Sequence, residues 1–142
     1  MMEIPRDVFA GWVIMLIDDE PDSLEVARYL LAYYGADVLM AENGADALKL
    51  IHEKHPRFVI SDLSMPVMDG WKLIRVLKED PATCELPVIA LTAHAMVGDR
   101  ERTLAAGFFD YMSKPFMVDT FIGDLVRIIS NEPKLKELLP NV

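Results

Sequence analysis

Asp18 and Asp19, Asp62, and Lys114 stand at or just beyond the ends of three separate apolar runs, Val13–Ile17, Phe58–Ser61 and Phe109–Met112. Thr92 closes a fourth, Val88–Leu91. Acids gathered at one rim repel each other, and at least one pKa rises unless a cation intervenes. A hard divalent ion answers that repulsion. Mg²⁺ takes oxygen ligands, keeps several waters and is usually held by one or two carboxylates with a phosphate oxygen, and Mn²⁺ suits the same donors. A carboxylate in such a place can also accept a phosphoryl group, and Asp62 is the candidate nucleophile. Charge building on the transferring oxygens would be met by the metal, the Lys114 ammonium, the Thr92 hydroxyl and the backbone N–H of Ala93.

For these groups to meet, the runs carrying them must lie side by side. All four runs are short and several are unbroken, as in strands buried on both faces of a parallel sheet under helices. Ligands of such sheets sit beyond the carboxyl ends of the strands, where these polar groups fall. Between the runs the pattern turns helical. Leu24, Ala27, Leu31 and Tyr34 stripe a helix over Pro21–Tyr34, stopped by Gly35. After a short strand, Asp37–Met40, Asn43 predicts a capped helix through Glu53 that turns Leu48 and Ile51 inward. Asp69 caps a helix holding Leu73, Ile74 and Leu77, ended by Asp80-Pro81. Pro87 opens the fourth strand, and helices over Val97–Ala106 and Met117–Ser130 flank the fifth. Five β–α units in one direction imply an α/β fold, a doubly wound five-stranded parallel sheet flanked by five helices.

The 142 residues fit a single domain, 1–142, with its core at about 12–130. The tail, residues 131–142, holds Leu135, Leu138 and Leu139, enough for one or two helical turns and too short for an effector domain. A hydrophobic content of 52% excludes a disordered body. The net charge of −9 argues against direct nucleic-acid contact, which needs clustered Lys and Arg. Cys84 is the sole cysteine and reads as a small apolar filler in a reducing compartment. The apolar stretch Phe9–Ile17 is far short of the roughly 20 residues of a membrane helix, and no basic leader precedes a small-residue cleavage site. A soluble, cytoplasmic protein without membrane association is expected.

The stretch Ser61-Asp62-Leu63-Ser64-Met65-Pro66-Val67-Met68-Asp69-Gly70 resembles the phosphoacceptor loop of bacterial response-regulator receiver domains. Asp18-Asp19-Glu20 is similar to that family's acidic pair, Thr92-Ala93 to its hydroxyl-small pair, and Lys114-Pro115-Phe116 to its lysine-proline signature. Steps of 43, 30 and 22 residues from Asp19 to Asp62, Thr92 and Lys114 match as well. The resemblance covers about residues 12–130 and implies a flavodoxin-like fold of the stand-alone, chemotaxis-regulator-like type.

It also implies roles. Asp19, Asp62 and the Ser64 backbone carbonyl would ligate Mg²⁺ directly and Asp18 through water, while Lys114, Thr92 and Ala93 hold the phosphoryl group. Thr92 and Tyr111 would act as a coupled switch that alters the surface of helix Val97–Ala106, strand Phe109–Met112 and helix Met117–Ser130. Ser64 and His94 would tune dephosphorylation. The donor would be a phosphohistidine on a sensor histidine kinase or histidine phosphotransfer protein, and the output a downstream protein target, with a phosphorylation-dependent homodimer as one form. Such a protein assists its own phosphorylation and dephosphorylation but is not a conventional enzyme. The Lys114-Pro115 bond is cis in the family, whereas trans is the general expectation for X–Pro. One departure stands out: Phe108-Phe109 follow Gly107 where receivers usually carry a small and then a polar residue. A docking patch and internal packing are equally open accounts of it.

Ordinary roles compete for each residue singly. Tyr111 would serve as a packed aromatic, His94 as an exposed loop imidazole, and His52 and His55 as solvent-facing residues without partners. Trp12 and Trp71 would cover core edges. A phosphatase of the haloacid dehalogenase type needs a second Asp two residues after its nucleophile, but Ser64 follows Asp62 and Glu20 follows Asp18. A nucleotide- or flavin-binding domain lacks its glycine-rich phosphate loop here. An intact acidic site disfavours a pseudo-receiver scaffold.

Overall fold

The computed structural model describes residues 4–93 and 99–140. Its five strands, β1 (Val13–Ile17), β2 (Asp37–Ala41), β3 (Phe58–Asp62), β4 (Val88–Thr92) and β5 (Asp110–Ser113), form one parallel sheet in the order β2-β1-β3-β4-β5. The helices are α1 (Pro21–Tyr33), α2 (Gly44–Lys54), α3 (Gly70–Glu79), α4 (Asp99–Ala106), α5 (Phe121–Ile129) and a single turn in the tail, α6 (Pro133–Lys136). This is the expected doubly wound α/β architecture with the tail's helical turn added.

Each strand of the sheet feeds two cores, because successive side chains point to opposite faces. From β1, Ile14 and Leu16 join Phe58, Ile60, Phe121 and Leu125 under α1 and α5. Met15 and Ile17 join Val59, Leu73, Ile74 and Ala90 under α2 and α3. The central strands β3 and β4 are buried at every position, whereas the edge strands β2 and β5 are only partly so. Caps fix where two helices begin. Asn43 Oδ1 accepts from Asp46 N–H at 2.9 Å and Asp69 Oδ1 from Lys72 N–H at 2.8 Å, each worth about 1 kcal/mol.

Some expectations shift. Strands β2, β3 and β4 run one residue past the apolar run into Ala41, Asp62 and Thr92, because the ladder continues for as long as the neighbouring strand offers partners. Helix α5 begins at Phe121 rather than Met117; residues 117–120 form a turn whose Met117 carbonyl accepts from Thr120 and Phe121 N–H. The expected start of the fourth helix, 97–98, lies outside the described residues. Phe108 is buried at 3% exposure and meets Trp71 edge-on, so internal packing accounts for it, while Phe109 is half-buried. Trp12 is a core residue packed on Phe9 and Phe58 rather than an edge cover. His52 has a partner after all, Asp80, at 3.5 Å.

Candidate functional site

Parallel register brings the strand ends to one rim. Ile17 pairs with Ser61, Asp62 with Leu91, and Thr92 with Ser113. The residues just past these pairs, far apart in sequence, therefore open onto a single cleft of about 520 Å³ lined by Asp19, Glu20, Asp62, Thr92, Ala93 and Lys114, with Ser64 beside them. Lys114 N–H donates to the Thr92 carbonyl at 2.7 Å, fixing the start of the loop after β5, and the Lys114-Pro115 bond is cis.

Lys114 is the cation the acids share. Its Nζ lies 2.8 Å from Glu20 Oε1, 2.9 Å from Asp18 Oδ2 and 3.0 Å from Asp62 Oδ2. Burial works against the ammonium, but its contacts with Glu20, Asp18 and Asp62 outweigh that and hold its pKa above the usual lysine range. Asp62 is 7% exposed. Loss of water raises its pKa, and the Asp18 charge adds to the rise; Lys114 and the Ser64 N–H, 3.3 Å from Asp62 Oδ1, pull the other way without cancelling it. Glu20 is exposed, and its hydrogen bond to Lys114 lowers its pKa.

Asp18 is the most buried of the acids, at 1% exposure. Its Oδ1 accepts from Glu20 N–H at 3.0 Å. Among the described residues its Oδ2 meets only the Lys114 ammonium, at 2.9 Å, in an ion-pair contact outside hydrogen-bond alignment. A buried acceptor in that condition calls for a water or an ion. Among the described residues, carboxylate oxygens of Asp18, Glu20 and Asp62 lie within 4.8 Å of one another. An all-oxygen set of that size, with an unsatisfied member, fits a hard divalent cation such as Mg²⁺ or Mn²⁺.

Of the sequence-predicted site residues, Asp18, Asp62, Thr92, Ala93 and Lys114 lie together at this rim. Asp19 lines the same cleft but is exposed and stands outside the tight carboxylate cluster. Glu20 takes a place in that cluster that sequence reasoning did not foresee; its only signal was being the third consecutive acid after β1. Tyr111 is half-buried, packed against the core under α2 and α3, and borders a smaller cleft between β5 and α5. His94 lies outside the described residues.

The loop behind Asp62 is tightly built. A Cβ on Gly70 would collide with the Asp62 carbonyl oxygen and stand 3.0 Å from Leu63 Cα, so only glycine fits. Val67, 82% exposed, adopts φ +68°, a left-handed conformation that is unfavourable for a β-branched residue. Backbone strain of this kind is characteristic of functional loops.

Residues 14–125 match the response regulator receiver domain family. A 14.6 kDa protein from the sodA1 3′ region of Leptolyngbya boryana is 41% identical over 82% of this chain and 86% of its own length. The polar-differentiation response regulator DivK of Brucella ovis is 35% identical over 77% of this chain and 89% of its own. Among solved structures, the receiver domain of the sensor histidine kinase PA1611 of Pseudomonas aeruginosa, which has a magnesium ion coordinated in its active-site cleft, superposes with a TM-score of 0.74 at 33% identity, covering 86% of this chain and 97% of that one.

Proposed function

The chain belongs to the response regulator receiver family of two-component signalling, and from that premise we propose that it is a phosphorylation-dependent switch with Asp62 as phosphoacceptor. The observation that supports this most directly is the sharing of one ammonium, Lys114 Nζ, by Asp62 and two further carboxylates at the strand ends. In this reading an Asp62 carboxylate oxygen attacks the phosphorus of a phosphohistidine on a sensor kinase or phosphotransfer protein. A P–O bond forms, the P–N bond breaks, and the histidine leaves. Asp62, Asp19 and the Ser64 carbonyl would hold Mg²⁺, with Asp18 acting through water, and the bound ion would supply positive charge near the transferring oxygens. Glu20 belongs among the candidate ligands on the present geometry.

Lys114 favours the ionised form of Asp62 before transfer and would pair with the phosphoryl group after it. The Thr92 hydroxyl and Ala93 N–H donate to the same oxygens. Ser64 and His94, each two residues beyond a site residue, would govern access of water to the acyl phosphate.

The added charge is roughly −1.5 to −2, and two unit charges about 4 Å apart at an effective dielectric of 20 interact by about 4 kcal/mol. Inverting a 1:99 equilibrium takes about 5.5 kcal/mol, so one or two new contacts suffice. Thr92 drawn toward the phosphoryl group would free space for Tyr111, altering the α4–β5–α5 face. Leu104, Met117 and Val118, all well exposed there, suit a protein target or a second copy of the chain. No helix among the described residues is long and apolar enough to cross a membrane; a cytoplasmic site of action is part of the proposal. The whole chain acts as one receiver unit.

Incubation with acetyl phosphate or beryllium fluoride, with and without Mg²⁺, tests the reading by intact mass. Mg²⁺-dependent gain of one phosphoryl group in the wild type and none in Asp62→Ala is expected. Modification surviving in the variant would move the acceptor elsewhere.

A further inference from the structure

Arg102, from α4, lines the same cleft as Asp62, Thr92 and Lys114. Its guanidinium carbon stands 5.1 Å from the centre of the Trp71 ring, which is itself a wall of the cleft. Trp71 is met edge-on by Phe108, with ring centres 5.8 Å apart at 85°. Phe108 is 3% exposed and cannot shift without opening the core. The aromatic residue where receivers usually have a small one therefore backs a platform that holds a cation at the cleft wall.

Charge gives that cation something to do. The cleft presents Asp19, Glu20, Asp62 and Asp69 against Lys114 and Arg102. The Lys114 ammonium is already divided among three carboxylates. Even with a divalent cation bound, an incoming phosphoryl group together with the remaining carboxylates brings more negative charge than that ion and one shared ammonium offset, and a guanidinium is the side chain whose fork matches phosphate oxygens two at a time. We propose that Arg102, seated on the Trp71 ring that Phe108 backs, is a second phosphoryl-binding cation of this cleft, which draws anionic phosphodonors in and helps retain the group on Asp62. The proposal rests on the reading of Asp62 as acceptor.

Three proteins test it: wild type, Arg102→Gln and Arg102→Lys. The rate of modification by acetyl phosphate and the half-saturating concentration of beryllium fluoride are measured with Mg²⁺ at low and high ionic strength, and folding is checked by circular dichroism. Arg102→Gln should slow modification and raise the half-saturating concentration by about three- to tenfold, and should flatten the dependence on salt. Arg102→Lys should recover part of the loss and most of the salt dependence, which a purely structural role would not. Wild-type uptake and salt dependence in Arg102→Gln would overturn this proposal alone. A wild type that takes up neither reagent at Asp62 would overturn the acceptor reading and this one with it.

Discussion

Lys114 holds three acids with one ammonium, and that imbalance sets what each substitution does. Lys114→Met leaves Asp18, at 1% exposure, as a buried charge with no cation. Stability should fall by about 3 kcal/mol in chelator, as expected when one partner of a buried pair is removed, and urea denaturation measures it. Saturating Mg²⁺ should restore part of the loss, since an ion that binds only the folded state stabilises it. Asp62 behaves in the opposite sense. Its folded pKa is raised by burial, so the native state holds the proton more tightly than the unfolded chain. Stability is then fully present below the unfolded value and declines as pH rises through the folded one. In chelator, Asp62→Asn should remove this decline and melt at a higher temperature than wild type at neutral pH. A thermal melt series across pH checks both, and a variant less stable than wild type at neutral pH would contradict the assigned shift. Asp18, Asp62, Thr92 and Lys114 were legible in sequence because each ends an apolar run. Glu20 was not, because its place depends on how the chain turns after β1, where Lys114 from the far end of the sequence draws in the third acid instead of the second.

At the scale of elements, the loop from β3 into α3 shapes the site through backbone contact. Gly70→Ala places a methyl group against the Asp62 carbonyl and Leu63 Cα, both backbone atoms that cannot swing aside. It should cost about 2 kcal/mol as an overpacked substitution, and it should weaken Mg²⁺ binding measured by the fluorescence of Trp71 on the cleft wall. Asn43→Ala is the contrasting case. It removes the cap of α2 and should cost about 1 kcal/mol while leaving Asp62 phosphorylation unchanged. Loss of phosphorylation in Asn43→Ala would mean that the two elements are coupled more closely than the structure indicates. Sequence pattern located these caps well, since Asn43 and Asp69 act on neighbours three residues away. It placed the start of α5 four residues early, because Met117, Val118 and Thr120 continue an apolar-looking stretch that the chain spends on a turn, leaving Met117 and Val118 exposed.

Over the whole molecule, one feature of the core was invisible to periodicity: the segments outside the β–α repeats fill it. Val8, Phe9 and Trp12 pack beneath the sheet with Phe58, and Leu135 of α6, 4% exposed, joins the same cluster as α1 and α5. No repeating pattern marks single residues in turns, so only their hydrophobicity hinted at this. If these segments belong to one cooperative unit with the cleft, the two tryptophans should report the same unfolding event. Trp12 sits in the core under α1 and α5, whereas Trp71 borders the other core and the cleft. Trp12→Phe and Trp71→Phe each leave a single reporter, and their urea transitions, corrected for any change in total stability, should show one slope and no intermediate. Leu135→Ala added to either protein should shift both transitions alike by about 3 kcal/mol, the usual scale for emptying a buried leucine site, while Leu138→Ser, at an exposed position, should shift neither. A Trp71 transition unmoved by Leu135→Ala would make the terminal segments an independent layer beneath the switch.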